Sequence, residues 1–165
     1  MSIIPETGSL TRQRAVSQQQ SPRIDYSATL ITVASGGFHQ KMTQTPDALV
    51  TEFYRKWASP DAAELASYFT EDGIYHNVPM DPVQGPEAIE EFIAGFTAAF
   101  DGIDFQVHRQ VSDGHIVMNE RTDVMRRKDG GEIALPVMGV FEVVDGKIAK
   151  WSDYFDMATV TKAFS

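Results

Sequence analysis

Three short turn signals, Asp113-Gly114, Asp129-Gly130-Gly131 and Asp145-Gly146, cut the second half of the chain into four strand-like runs. Asp-Gly between two such runs marks a tight β-hairpin, because these residues tolerate the positive backbone φ that hairpin turns need. The runs Ile103–Val111, Ile116–Arg126, Glu132–Val143 and Lys147–Phe155 are therefore predicted to be consecutive strands of an antiparallel meander.

The residues before the meander read as helices and one short strand. Thr45-Pro46-Asp47 supplies an N-cap followed by proline at the first helical position. Leu49, Val50, Phe53, Tyr54 and Trp57 then fall on one face at helical spacing. Ser59-Pro60-Asp61 repeats the start signal for a shorter helix carrying Leu65 and Phe69. Asp72-Gly73 leads into a strand, Ile74–Val78, and Met80 to Pro86 reads as a loop. Pro86 opens a helix running to about Phe100, with an apolar stripe of Ile89, Phe92, Ile93, Phe96 and Phe100. A last helix is predicted over Ala158–Phe164. This is an α+β layout, with a curved, mostly antiparallel sheet and helices packed on its concave side. Such a cone encloses an apolar pocket suited to a small hydrophobic ligand.

At 165 residues and 42% hydrophobic, the chain has enough apolar material for one domain with a real core. A formal charge of -9 disfavours nucleic acid as a partner. No apolar run approaches a membrane span, so no membrane partner is expected. There is no cysteine, so neither disulfides nor thiolate chemistry enter, and a cytoplasmic setting is the default expectation. The histidines, His39, His76, His108 and His115, lack ligand spacing, so no metal site is expected. Residues 1–42 are rich in Ser, Gln and Thr, and carry Arg12, Arg14, Arg23 and Lys41 against Glu6 and Asp25. They read as a disordered extension, with Met42 as the natural start and a domain over 43–165. An arm exchanged with a partner subunit is the other reading of that segment.

Chemistry concentrates on alternate positions of two strands. In a strand, residues two apart share a face, which groups Asn119, Arg121, Asp123 and Met125. That strand alone is compatible with an exposed pair on a sheet edge or with a buried one. The last strand groups Trp151, Asp153 and Phe155. A carboxylate between two large aromatics calls for burial and a cation, and Arg121 can fork between two carboxylates. Tyr75 and Asn77 share a face of the short strand, both hydrogen-bonding and neither charged.

Together, Tyr75-His-Asn77, Glu120-Arg-Thr-Asp123, Gly139-Val-Phe141 and Trp151-Ser-Asp-Tyr-Phe-Asp156 closely resemble the limonene-1,2-epoxide hydrolase family, in order and spacing across 45–156. That family belongs to the cystatin-like, nuclear-transport-factor-like cone folds, alongside ketosteroid isomerases and polyketide cyclases. The resemblance implies a cofactor-independent homodimer adding water to a small hydrophobic epoxide. It implies a catalytic set of Asp153, Asp123, Arg121, Tyr75 and Asn77. It also implies a pocket lined by Tyr54, Trp57, Phe96, Phe100, Met125, Leu135, Val137 and Phe155. One departure is Ser152, where the family often has Arg; it is expected to point outward, opposite Asp153.

The residues suit that chemistry in their own right. Epoxide opening by water needs a base for the water and an acid for the leaving oxygen, acting in one step if they flank the ring. Asp153 is read as the base, its water oriented by Tyr75 and Asn77, and Asp123 as the acid, kept protonated by an apolar pocket. One rival is a proton-shuttling isomerase or cyclase with a single Asp as base and Tyr75 as oxyanion donor. A second is a binding module in which the ionic triad is only structural.

Overall fold

The computed structural model describes residues 44–163, so the expected extension over 1–42 lies outside the described residues. In chain order the elements are α1 (Pro46–Lys56), α2 (Ala62–Ala66), β1 (Phe69–Asn77), β2 (Val83–Gln84), α3 (Pro86–Thr97), β3 (Phe100–Asp113), β4 (Ile116–Arg127), β5 (Glu132–Val144), β6 (Lys147–Tyr154) and α4 (Met157–Ala163). All four predicted meander strands are present. Asp145 and Gly146 close the last hairpin with φ of 51° and 75°, the paired positive values that the sequence anticipates.

The strands form one six-stranded mixed sheet in the order β2-β1-β6-β5-β4-β3. Its one parallel pairing, β1 on β6, brings the first strand of the described residues against the last. Thr45 caps α1, its hydroxyl accepting from the Ala48 N–H at 3.3 Å. The apolar face of α1 is buried on the sheet, with Val50 and Phe53 fully covered. Phe53 sits at the centre of an aromatic cluster, with Trp151 at 5.2 Å and Trp57 and Phe141 near 6 Å between ring centroids. Edge-to-face aromatic packing of this kind adds to the area buried and fixes where α1 lies over the sheet.

Four boundaries differ from expectation. The second helix is capped by Asp61, whose carboxylate accepts from the Glu64 N–H at 2.9 Å, so Ser59 and Pro60 precede it. It ends at Ala66, and Phe69 opens β1 instead of continuing the helix. Phe100 likewise opens β3 instead of closing α3. The expected loop over Met80–Pro86 contains β2, which pairs antiparallel with β1 through Tyr75 and Val83. In the last three cases sheet hydrogen bonding recruits residues whose local pattern fits either assignment.

Candidate active site

Strand register brings the predicted residues together. Asn119 on β4 pairs with Gly139 on β5, Gly139 with Asp153 on β6, and Asp153 with Asn77 on β1. This row crosses four strands, and the next row places Trp151 beside Tyr75. Arg121 and Asp123 follow Asn119 along β4 on the same inward face. Asn119, Arg121, Asp123 and Asp153 are all buried, which settles the two readings left open by the strand alone.

Arg121 binds both carboxylates. Its Nε donates to Asp123 Oδ1 at 2.7 Å, and its Nη2 donates to Asp123 Oδ2 at 3.2 Å and to Asp153 Oδ2 at 2.6 Å. Trp151 Nε1 donates to the other Asp153 oxygen at 2.7 Å. The period-2 pattern puts Trp151 on the face of Asp153, but no local signal marks its indole N–H as the donor. The guanidinium also lies 5.0 Å from the ring centroids of Tyr54 and Phe105 and 5.8 Å from Trp151. A desolvated cation gains from such faces. Tyr75 stacks on Trp151 at 4.3 Å and 9°, which fixes its ring beside Asp153.

Burial dominates the electrostatics of these groups. Burial pushes the Asp123 carboxyl up to about 7, with Arg121 pulling down and the Asp153 charge adding to the rise. Burial raises Asp153 as well, opposed by Arg121 and by the Trp151 N–H. One cation shared by two carboxylates favours a single proton on the pair near neutrality. For Arg121, burial works against the charge, but Asp153, Tyr54 and Asp123 outweigh it and hold the guanidinium protonated. Burial, reinforced by the Asp153 charge, keeps the Tyr75 hydroxyl protonated. Tyr75 is thereby a neutral donor.

Asp123, Asp153, Tyr75 and Asn77 all face one cavity of about 590 Å³. Of the predicted lining, Trp57, Phe96, Phe100, Met125, Leu135 and Phe155 are in place. Tyr54 and Val137 are not. Tyr54 donates its hydroxyl to Asn119 Oδ1 at 3.0 Å and packs on Phe105 at 4.5 Å, so it lies against the triad and lines a separate depression between α1 and β3. Val137 is buried opposite Arg121 in the register and does not reach the cavity. Phe105, which the sequence pattern did not single out, lines the cavity and touches the guanidinium. Ser152, expected to point outward, is only 5% exposed. It lies on a central strand between His76 and Val140, and a serine is too short to reach past such neighbours.

Gly139 makes the triad possible. Arg121 and Asp153 stand on strands two apart, and the guanidinium must cross β5 to join them. A Cβ at Gly139 would overlap Arg121 Nη1 and stand 2.9 Å from Asn119 Oδ1 and 3.1 Å from Asp153 Oδ1. Gly139→Ala is expected to cost about 1–3 kcal/mol of stability through overpacking. It should also displace the cation from the two carboxylates. Thermal melts measure the first effect, and NMR titration of the aspartate carboxyls the second.

Sheet order and inward polar row define a cone-fold protein with two buried carboxylates facing one cavity. The chain belongs to the SnoaL-like domain family, which it matches over residues 50–151. It is 30% identical over 115 residues to the epoxide hydrolase EphG of Mycobacterium tuberculosis, covering 68% of this chain and 74% of that protein. Its fold superposes on a limonene-epoxide-hydrolase-like epoxide hydrolase of M. tuberculosis with a TM-score of 0.62, at 28% identity, over 71% of this chain and 86% of that one. A protein with a ketosteroid-isomerase-like fold from Catenulispora acidiphila matches with a TM-score of 0.62 at 21% identity, over 71% and 91% of the two chains. That likeness concerns the fold alone. Among the described residues, no helix is long and apolar enough to cross a membrane.

Proposed function

We propose that this protein is an epoxide hydrolase, adding water in one step to a small hydrophobic epoxide to give a vicinal diol. The observation that carries the reading is Arg121 joined to two carboxylates, Asp123 and Asp153, that both face one largely apolar cavity. Two carboxylates with one proton between them are an acid and a base at the same pH. A water gripped by Tyr75 and Asn77 gives a proton to Asp153 as its oxygen bonds to a ring carbon. The ring C–O bond breaks on the opposite side, and Asp123 gives its proton to the departing oxygen. The cycle leaves Asp153 protonated and Asp123 ionised, and one proton exchange with solvent restores the pair.

A single-proton isomerase or cyclase on the same cone uses one carboxylate. It gives no role to a second buried Asp bridged to the first through Arg121. A purely structural triad has no need of an apolar cavity against both carboxylates. Single turnover in ¹⁸O-water separates one-step opening from attack by a carboxylate. We expect label in the diol from the first turnover, with inversion at the attacked carbon. Unlabelled first-turnover diol, with label appearing in Asp153 or Asp123, would rule out the direct mechanism. No diol from a panel of cyclic and aryl epoxides would rule out the activity.

A further inference from the structure

We infer that Asn119 is a positioning residue for this acid–base pair, holding Arg121 through its side-chain oxygen and tied to α1 through Gln110. The inference rests on the epoxide-opening reading. Asn119 is 2% exposed and does not line the cavity, so it has no route to the substrate except through its neighbours.

The hydrogen-bond directions leave one arrangement. Arginine has only donors, so the Asn119 oxygen must face it. That oxygen accepts from Arg121 Nη1 at 3.1 Å and from the Tyr54 hydroxyl at 3.0 Å. The Asn119 amide nitrogen is then turned the other way, where it donates to Gln110 Oε1 at 3.2 Å. Gln110 Nε2 in turn donates to Asp47 Oδ1 at 2.8 Å and Thr51 Oγ1 at 3.2 Å, both on α1. The chain runs unbroken from the half-buried edge of β3 to the guanidinium.

Its consequence lies in which nitrogens are used. Nε and Nη2 are committed to the two carboxylates, and Asn119 takes Nη1. The guanidinium is held at all three nitrogens, so it cannot tilt toward one Asp at the expense of the other. Gly139 keeps the same space free of a side chain on β5. How the cation is shared between the carboxylates decides which one keeps the proton, and Asn119 fixes that sharing.

Three full-length variants test this, Asn119→Leu, Asn119→Asp and Gln110→Leu. Each is read by steady-state kinetics on a neutral aryl epoxide and by ¹³C NMR titration of the aspartate carboxyls without substrate. Asn119→Leu should lower kcat at least ~10-fold with KM within about twofold, since only alignment is lost. Gln110→Leu, at a half-buried site that tolerates an apolar residue, should lower kcat roughly threefold by releasing the Asn119 amide. Asn119→Asp sets a third carboxyl against Arg121 and should move the pair's titration upward by about one pH unit. Folded Asn119→Leu and Gln110→Leu proteins with wild-type kcat and superposable titrations would overturn the inference. If Asn119→Leu does not fold, Gln110→Leu alone decides it. A wild-type protein that opens no epoxide would sink the proposed function, and the carboxyl titrations would still read Asn119's hold on the pair.

Discussion

Asparagine at either carboxylate is expected to lower diol formation by at least ~10²-fold, the lower end of what a positioned acid or base contributes. Asp153→Asn keeps an acceptor for only one of its two donors, Trp151 Nε1 and Arg121 Nη2, and cannot take a proton from water. Asp123→Asn keeps an acceptor for Arg121 Nε but has no titratable proton to give. The two differ in their pH profiles. Because burial raises Asp123 to about 7, its acid form is lost as pH rises through about 7, so wild-type kcat/KM should fall on that side. The acid-side fall follows protonation of Asp153, which burial also moves upward from the ordinary carboxylate range. Residual activity of Asp123→Asn should lack the alkaline fall, and that of Asp153→Asn the acid one. An Asn variant with near-wild-type rate across the range would remove that carboxylate from the mechanism.

The parts of the site legible in sequence were those that strand alternation encodes. Asn119, Arg121 and Asp123 share a face because they are two apart, and the Asp-Gly turns fix the hairpins that align them with β5 and β6. Tyr75 and Asn77 share a face by the same alternation, but no local signal names their partner strand. The parallel pairing of β1 with β6 joins residues about 76 positions apart and depends on the whole sheet. Tyr54 lies outside the expected lining for a similar reason. Helical spacing says that its side chain points at the sheet, and only the position of Arg121 decides on which side of the triad it lies. Gly139 shows the opposite limit, since the motif contains it while its reason, a cation crossing overhead, exists only in three dimensions.

Arg121→Gln should abolish measurable turnover alongside the Asn variants and, unlike them, strongly destabilise the fold. Removing one member of a buried ionic network typically costs about 3–5 kcal/mol, because the charges left behind keep their desolvation penalty without compensation. Here the loss also empties the space enclosed by Tyr54, Phe105 and Trp151, each within 6 Å of the guanidinium. The sign of the pH dependence identifies the cause. A carboxyl whose folded pKa is raised above its unfolded value of about 3.9 stabilises the fold at low pH and loses that contribution as pH rises through the folded value. Asp123 and Asp153 are raised already, with Arg121 opposing the rise in both. Without Arg121 both move higher, so the variant's deficit should be greatest above about pH 7 and shrink toward pH 5, where the pair can take up protons. Melting temperatures of variant and wild type, measured side by side from pH 5 to 8, give that difference directly. A deficit independent of pH would mean that Arg121 supports the fold by packing alone, with the two carboxylates indifferent to its charge.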